Sequence, residues 1–264
     1  FCPGKQDMLL IEKLCYQSNL RYVNAGEKFI YAILTLCMCV VSRSIPLAVL
    51  VLAVNSYLIV GRGGIAFFRY RNLMLIPLVF LLLSTLAIIV NISGTPLDAF
   101  ALPLGNLYIT GSFQSLRRGL QLILTAMASV SCLYFLALST PMTDILNELR
   151  KPRIPALLLE LMMLTYRFIF VLLEIASSIL TSQKSRLGNR DLKTSLKSFG
   201  SMVSVLFIRA LKKSGALYDA MEARCYDGTI RVLTENHPPK RAEIFLIAFF
   251  EILLLLLTIW SKLQ

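Results

Sequence analysis

Histidine is nearly absent: His237 is the only one in 264 residues. A metal centre or an imidazole acid–base pair therefore has little to draw on, because His is the commonest metal ligand and the usual proton shuttle. Charge is scarce too, at 16% of residues against roughly 25% in an average soluble protein. No GxxxxGK[ST] stretch occurs, which excludes nucleotide hydrolysis through a P-loop. No CxxC pair occurs either. The six cysteines (Cys2, Cys15, Cys37, Cys39, Cys132 and Cys225) are scattered without metal-finger spacing, and those inside apolar runs read as small core residues. No secretory signal pattern is evident in the opening residues. A chain that begins on Phe1 is expected to lack at least one residue upstream.

What remains is apolar and basic. Hydrophobic residues make up 56% of the chain and the mean hydropathy is +0.70, the profile of a polytopic membrane protein. Lys and Arg number 27 against 15 Asp and Glu. In so apolar a chain this excess points to basic cytoplasmic loops rather than to nucleic acid.

Residues 1–28 are polar and basic. Apolar runs follow at Phe29–Val41 and Leu47–Val60, split by "SRSIP" (Ser42 to Pro46). Each run is shorter than the ~20 residues that span a bilayer, and together they predict a helical hairpin turning at Pro46. "GRGGIAFFRYRN" (Gly61 to Asn72) is basic and glycine-marked, and Gly61–Gly64 reads as a flexible turn at a helix start rather than a phosphate cradle. Leu73–Val90 is a spanning helix. Residues 91–117 are rich in Gly, Pro and turn formers, with no Lys or Arg before Arg117, and read as an external loop. Gly119–Thr140 is a fourth span and Ile244–Trp260 a fifth, with Trp260 near the interface.

Between Pro141 and Arg241 two long helical patterns appear. In Ala156–Leu187, Glu160, Arg167 and Glu174 recur on one narrow polar stripe at roughly 100° per residue, joined by Ser178, Thr181 and Ser185. In Ser201–Arg224, Val203, Leu206, Phe207, Ala210, Leu217, Tyr218 and Met221 share an arc of roughly 140°. Charge decides whether either spans. With the N-terminus inside, letting both or only the first cross would put many basic residues outside. If neither crosses, 23 of the 27 basic residues are inside, as the positive-inside tendency requires.

The expected architecture is an all-α polytopic membrane protein. It comprises a cytoplasmic N-terminal segment (1–28), transmembrane helices 1–4 (29–140), a cytoplasmic domain of long amphipathic helices (141–242) and a C-terminal transmembrane helix (243–264). The apolar faces of that domain need the spans, the headgroup region or a partner to cover them.

Catalytic residues, metal ligands and a cofactor are expected to be absent. His237 with Glu235 nearby is a loop residue before it is a ligand. Glu251 interrupts the last span and either pairs with a neighbouring helix or marks function. No chain of intramembrane carboxylates suggests a proton-driven carrier, and no two pseudo-symmetric halves suggest a secondary transporter.

The positive signal lies at two helix ends. One is Ser185-Arg186-Leu187, followed by Gly188, a helix-stop residue. The other is Ala223-Arg224-Cys225, followed by Tyr226-Asp227-Gly228. Arg186 falls on the broad apolar side of its helix and Arg224 at the edge of the apolar arc. A C-terminal cation favours the helix dipole by ~0.3–1 kcal/mol, which explains one such arginine more easily than two that both leave the polar face. An arginine beside small residues at a helix tip can instead enter a partner's groove and donate several hydrogen bonds.

These arginine steps, with "LYITGSFQSLRRGL", "LSTPMTDILNELRKPRIP", "LMMLTYRFIFVLLEI", "SQKSRLG" and "AMEARCYDG", resemble the transmembrane T component of energy-coupling factor transporters, specifically the cobalt-type CbiQ family. The resemblance covers roughly residues 20 to 260, with loose motifs in a specific order. It implies a non-catalytic subunit of a bacterial or archaeal cell membrane, multi-pass with a cytoplasmic N-terminus. The subunit would join two CbiO-type ATPase subunits to a CbiM-type substrate-binding subunit, with or without a CbiN-type chain. It implies that Ser185-Arg186-Leu187 and Ala223-Arg224-Cys225 dock in grooves on the ATPases. The family pattern ends the second motif in Gly where this chain has Cys225, so Gly228 is an alternative helix stop. Cobalt is the implied cargo, with nickel-type and vitamin-type relatives as alternatives. A stand-alone carrier would need polar residues at mid-membrane, and a membrane enzyme an acid–base or metal cluster; the sequence offers little of either.

Overall fold

The computed structural model describes residues 12, 14–89, 91–93, 100–104, 107–111, 113–152, 154–228, 238 and 240–263. Glu235 and His237 lie outside them. The chain divides into two compact units, one built from the chain up to Ile145 together with the segment from Glu235 onward, the other from Leu146–Thr234.

The first unit holds α1 (Ala25–Ser42), α2 (Ile45–Tyr57, continued by a π turn over Leu58–Arg62), α3 (Phe67–Ile89), α4 (Phe113–Ser139) and α8 (Arg241–Leu263). Asn24 starts α1 by accepting from Gly26 N at 2.8 Å. The hairpin to α2 turns at Arg43, whose φ is 47°, and not at Pro46. Proline sits instead in the first turn of α2, where its fixed φ suits a helix start and its missing N–H costs nothing. The "GRGG" stretch likewise closes α2 rather than opening α3. Gly63 donates to Leu58 O at 2.9 Å, and a Cβ there would lie 2.4 Å from Ile59 O, so the π turn requires glycine.

α4 is the central helix: α1, α2 and α3 all lie against it, and α8 lies against α1. Tyr31, Ile59, Met74 and Phe135 centre one apolar cluster, and Cys39, Leu47, Val51, Cys132 and Leu254 another. A polar thread crosses this core. Tyr31 OH donates to Asn55 Oδ1 at 2.8 Å, and Asn55 Nδ2 donates to Ser131 Oγ at 3.1 Å and Cys132 Sγ at 3.2 Å. It ties α1, α2 and α4 together where water cannot compete. Glu251 of α8 is buried, and its carboxyl oxygens have no hydrogen-bond partner among the described residues. Lys28 is buried as well. Its ammonium donates to Leu20 O at 3.0 Å and Ser139 O at 2.8 Å, joining the 3-10 turn at Asn19–Tyr22 to the end of α4. Nearby Cys15 has its thiol pushed up to about 11 by burial, which the Lys28 charge offsets only partly.

The stretch read as an external loop contains a small antiparallel sheet of β1 (Asn91–Ser93), β2 (Phe100–Leu104) and β3 (Leu107–Gly111), in the order β1-β3-β2. Its register pairs Ile92 with Ile109 and Leu102 with Ile109.

α5 (Met142–Arg150) carries the chain into the second unit, which consists of α6 (Ala156–Ser185) and α7 (Leu192–Glu222). By length and composition, six described helices suit a membrane crossing: α1, α2 with its π turn, α3, α4, α6 and α8. Five match the expected spans. The sixth, α6, is the helix that the charge count assigns to the cytoplasmic domain. The protein is thus all-α in its membrane and helical parts, and polytopic.

Candidate functional site

The second unit is a hairpin of two long helices. α6 has 30 residues and α7 has 31, so each is ~45 Å long at 1.5 Å per residue. Near the turn, Gln183 Nε2 donates to Ser198 O at 2.7 Å and Ser198 Oγ donates to Gly188 O at 2.8 Å. At the far end Tyr226 OH donates to Glu160 Oε2 at 2.5 Å, and that bond is the main reason the Tyr226 hydroxyl titrates above its ordinary value. Glu160 therefore leaves the solvated stripe on which its spacing placed it: it is buried, whereas Arg167 and Glu174 are exposed.

Both arginine steps lie on the same backbone motif. At the end of α6, Arg186 N donates to Gln183 O at 3.2 Å, Leu187 N to Lys184 O at 3.1 Å and Gly188 N to Gln183 O at 2.8 Å. At the end of α7, Arg224 N donates to Met221 O at 3.0 Å, Cys225 N to Glu222 O at 3.0 Å and Tyr226 N to Met221 O at 3.1 Å. The left-handed residue is the third of each motif: Leu187 at φ 58° and Cys225 at φ 57°. This is a Schellman-type stop. It corrects two expectations. Gly188 is not the left-handed stop of α6; it is needed because a Cβ would lie 2.9 Å from Gln183 O and from Ser198 Oγ. Gly228, although at φ 85°, does not stop α7, because Cys225 has already done so.

The motif explains why the third position favours glycine: a side chain in the left-handed region costs roughly 1–2 kcal/mol. Cys225→Gly is expected to stabilise the end of α7 by about 0.5–1 kcal/mol, since glycine's greater freedom in the unfolded chain takes back part of the relief. Slower hydrogen exchange over Met221–Tyr226 checks it, and unchanged or faster exchange contradicts it.

All six motif residues are exposed: Ser185, Arg186 and Leu187 at one tip, Ala223, Arg224 and Cys225 at the other. Leu187 is 69% exposed. Neither Arg186 nor Arg224 makes an ion pair among the described residues. α7 begins just after the first tip and ends at the second, so it holds the two arginines at its opposite ends, ~45 Å apart along its axis. Between them the predicted apolar arc is partly uncovered, with Val203, Phe207 and Tyr218 exposed and Leu206, Ala210, Leu217 and Met221 half-buried. No group of three or more His, Cys, Asp or Glu suited to a metal occurs among the described residues. No sequence pattern announces the Glu160–Tyr226 latch, because no periodicity links a helix start to a loop residue beyond the next helix.

Six helices long and apolar enough to cross a membrane define a multi-pass membrane protein, and the two matching arginine turns stand at the ends of the long helices of its second unit. A family profile described as cobalt transport protein, CbiQ, matches residues 17–235, and the chain belongs to the CbiQ family. It is similar to an uncharacterized protein of Methanocaldococcus jannaschii, 33% identical over 96% of this chain and 94% of the relative. It is also similar to the cobalt transport protein CbiQ of Rhodobacter capsulatus, 31% identical over 85% of this chain and 87% of the relative. A putative fused cobalt transport protein CbiMQ of Methanocorpusculum labreanum is 31% identical over 87% of this chain, which covers 38% of that longer protein. With partial matches to energy-coupling factor transmembrane proteins, these relatives make the chain a transmembrane T subunit of an energy-coupling factor type transporter.

Proposed function

We propose that this subunit couples two CbiO-type ATPases to a CbiM-type substrate-binding subunit, with or without a CbiN-type chain, in a cobalt importer. The observation that carries the reading is the pair of equivalent arginine turns at the two ends of α7. A rigid helix with the same plug at both ends suits two copies of one partner. Closure of the ATPase pair on ATP would shift both arginine tips and tilt the hairpin that carries them. The exposed apolar face of α7 would pass that movement to the substrate-binding subunit, which reorients and releases its ion inward. The fused relative, whose name joins CbiM to CbiQ, supports a substrate-binding neighbour. The ion is held by another chain, so this one needs no ligand cluster.

In this reading the N-terminus and residues 141–242 are cytoplasmic. Cys225 is an exposed thiol inside that domain, and it provides a topology test in a chain carrying Cys2→Ser and Cys37→Ser, since Cys37 is exposed as well. A membrane-impermeant maleimide is expected to label Cys225 in inside-out vesicles and not in right-side-out ones. Labelling from the outer side overturns the orientation. Cargo is tested by reconstituting the chain with its ATPases and substrate-binding subunit and measuring uptake of radiolabelled Co²⁺ and Ni²⁺. ATP-dependent Co²⁺ uptake that exceeds Ni²⁺ uptake supports cobalt. The reverse order assigns nickel, and uptake of neither points to a vitamin-type cargo. Uptake by this chain without ATPases would make it a stand-alone carrier.

A further inference from the structure

Most basic residues fall in three tracts, 1–28, 62–71 and 141–242; the exceptions are Arg43, Arg117, Arg118 and Lys262. Two of these four line one cavity of about 570 Å³ at an end of the membrane bundle, within the usual range for a ligand site. Arg43 comes from the turn between α1 and α2, and Arg117 from the first turns of α4. No acidic residue lines the cavity, and neither arginine makes an ion pair among the described residues. Two guanidinium groups facing one space repel each other unless an anion lies between them.

The rest of the lining is graded. Gln121 Nε2 donates to Arg43 O, which steadies the turn. Ser42 and Ser44 share a hydrogen bond at 2.8 Å, so Ser44 gives α2 no side-chain cap and leaves the first N–H groups of that helix for another acceptor. On the other side Leu257 and Trp260 of α8 form an apolar wall. Cations backed by an amide and hydroxyls on one side, and an interfacial tryptophan on the other, match a phosphodiester with an acyl chain attached. We propose that this cavity binds the headgroup phosphate of an anionic phospholipid, with its glycerol and upper acyl chain against Trp260 and Leu257.

Trp260 is the only tryptophan in the chain, so its fluorescence reports occupancy directly. The full-length protein is placed in nanodiscs containing either phosphatidylglycerol or phosphatidylcholine with brominated acyl chains. Half-maximal quenching of Trp260 is expected at a markedly lower mole fraction of phosphatidylglycerol. Arg43→Gln and Arg117→Gln are each expected to weaken that preference about fivefold, and the double variant to abolish it. Equal quenching by the two lipids, or a preference that survives in the double variant, overturns the proposal. Reversal of the quenching by inorganic phosphate also overturns it, by assigning the cavity to a free anion. Should the variants fail to fold, a photo-crosslinking phosphatidylglycerol answers on the wild-type chain: label on peptides bearing Arg43, Arg117 or Trp260 supports the site, and label only elsewhere refutes it. The outcome is separable from the coupling role, because neither arginine belongs to the arginine tips.

Discussion

Charge reversal at both tips, Arg186→Glu with Arg224→Glu, should release the ATPase partners from the purified complex and stop ATP-driven uptake. Each arginine stands just beyond a helix end in a fixed turn, with no ion pair among the described residues to hold it. Its donors are therefore available to carbonyls or carboxylates in a groove. Losing one partner of a buried, hydrogen-bonded charge pair costs about 2–5 kcal/mol, and a glutamate in the same groove adds repulsion. One intact tip retains part of the avidity, so each single variant should show partial loss and the double variant nearly complete loss. Arg186→Lys and Arg224→Lys keep the charge and remove the planar fork. If bidentate hydrogen bonding carries the docking, they should fall between wild type and the glutamate variants. Maleimide labelling of Cys225 gives a second readout, since a docked ATPase should shield that thiol. A double variant that retains both ATPases at wild-type stoichiometry, with normal uptake, would refute the docking role of the tips.

The second large effect is on stability. Lys28→Met keeps most of the apolar stem and deletes the ammonium, leaving the buried carbonyls of Leu20 and Ser139 without their donor. The expected cost is about 3 kcal/mol, the penalty for orphaned acceptors that had bonded a charged group. It should appear as a lower thermal unfolding midpoint in detergent. Cys15 gives a local signal. Its thiol is buried and pushed up to about 11, so at neutral pH it should resist alkylation in the wild type and react faster once the 3-10 turn at Asn19–Tyr22 loosens. An unchanged midpoint together with an unreactive Cys15 would show that Lys28 does not hold the turn to α4.

Spans, basic tracts and the two arginine steps are legible in the sequence because hydropathy and charge add up locally, residue by residue. The errors fall where a backbone angle or a distant contact decides. The hairpin turns at Arg43 and not Pro46, because proline suits a first helical turn and gives no turn of its own. Glu160 belongs to the polar stripe by spacing, yet it is buried because Tyr226, beyond the end of the next long helix, supplies its hydrogen bond. Cys225 reads as a departure from the family's glycine. The structure shows it holding the same left-handed angle that Leu187 holds at the other tip, so the two motifs match in backbone even where their residues differ.

Composition was enough to establish a polytopic membrane protein, since a bilayer selects apolar stretches and basic loops whatever their neighbours are. Three-dimensional packing was needed to bury Lys28 against two carbonyls, to bring Arg43 and Arg117 to one cavity, and to give both arginine steps one turn geometry. Those arrangements join residues far apart along the chain, or depend on φ angles that no local pattern encodes, so they arise only when the helices pack.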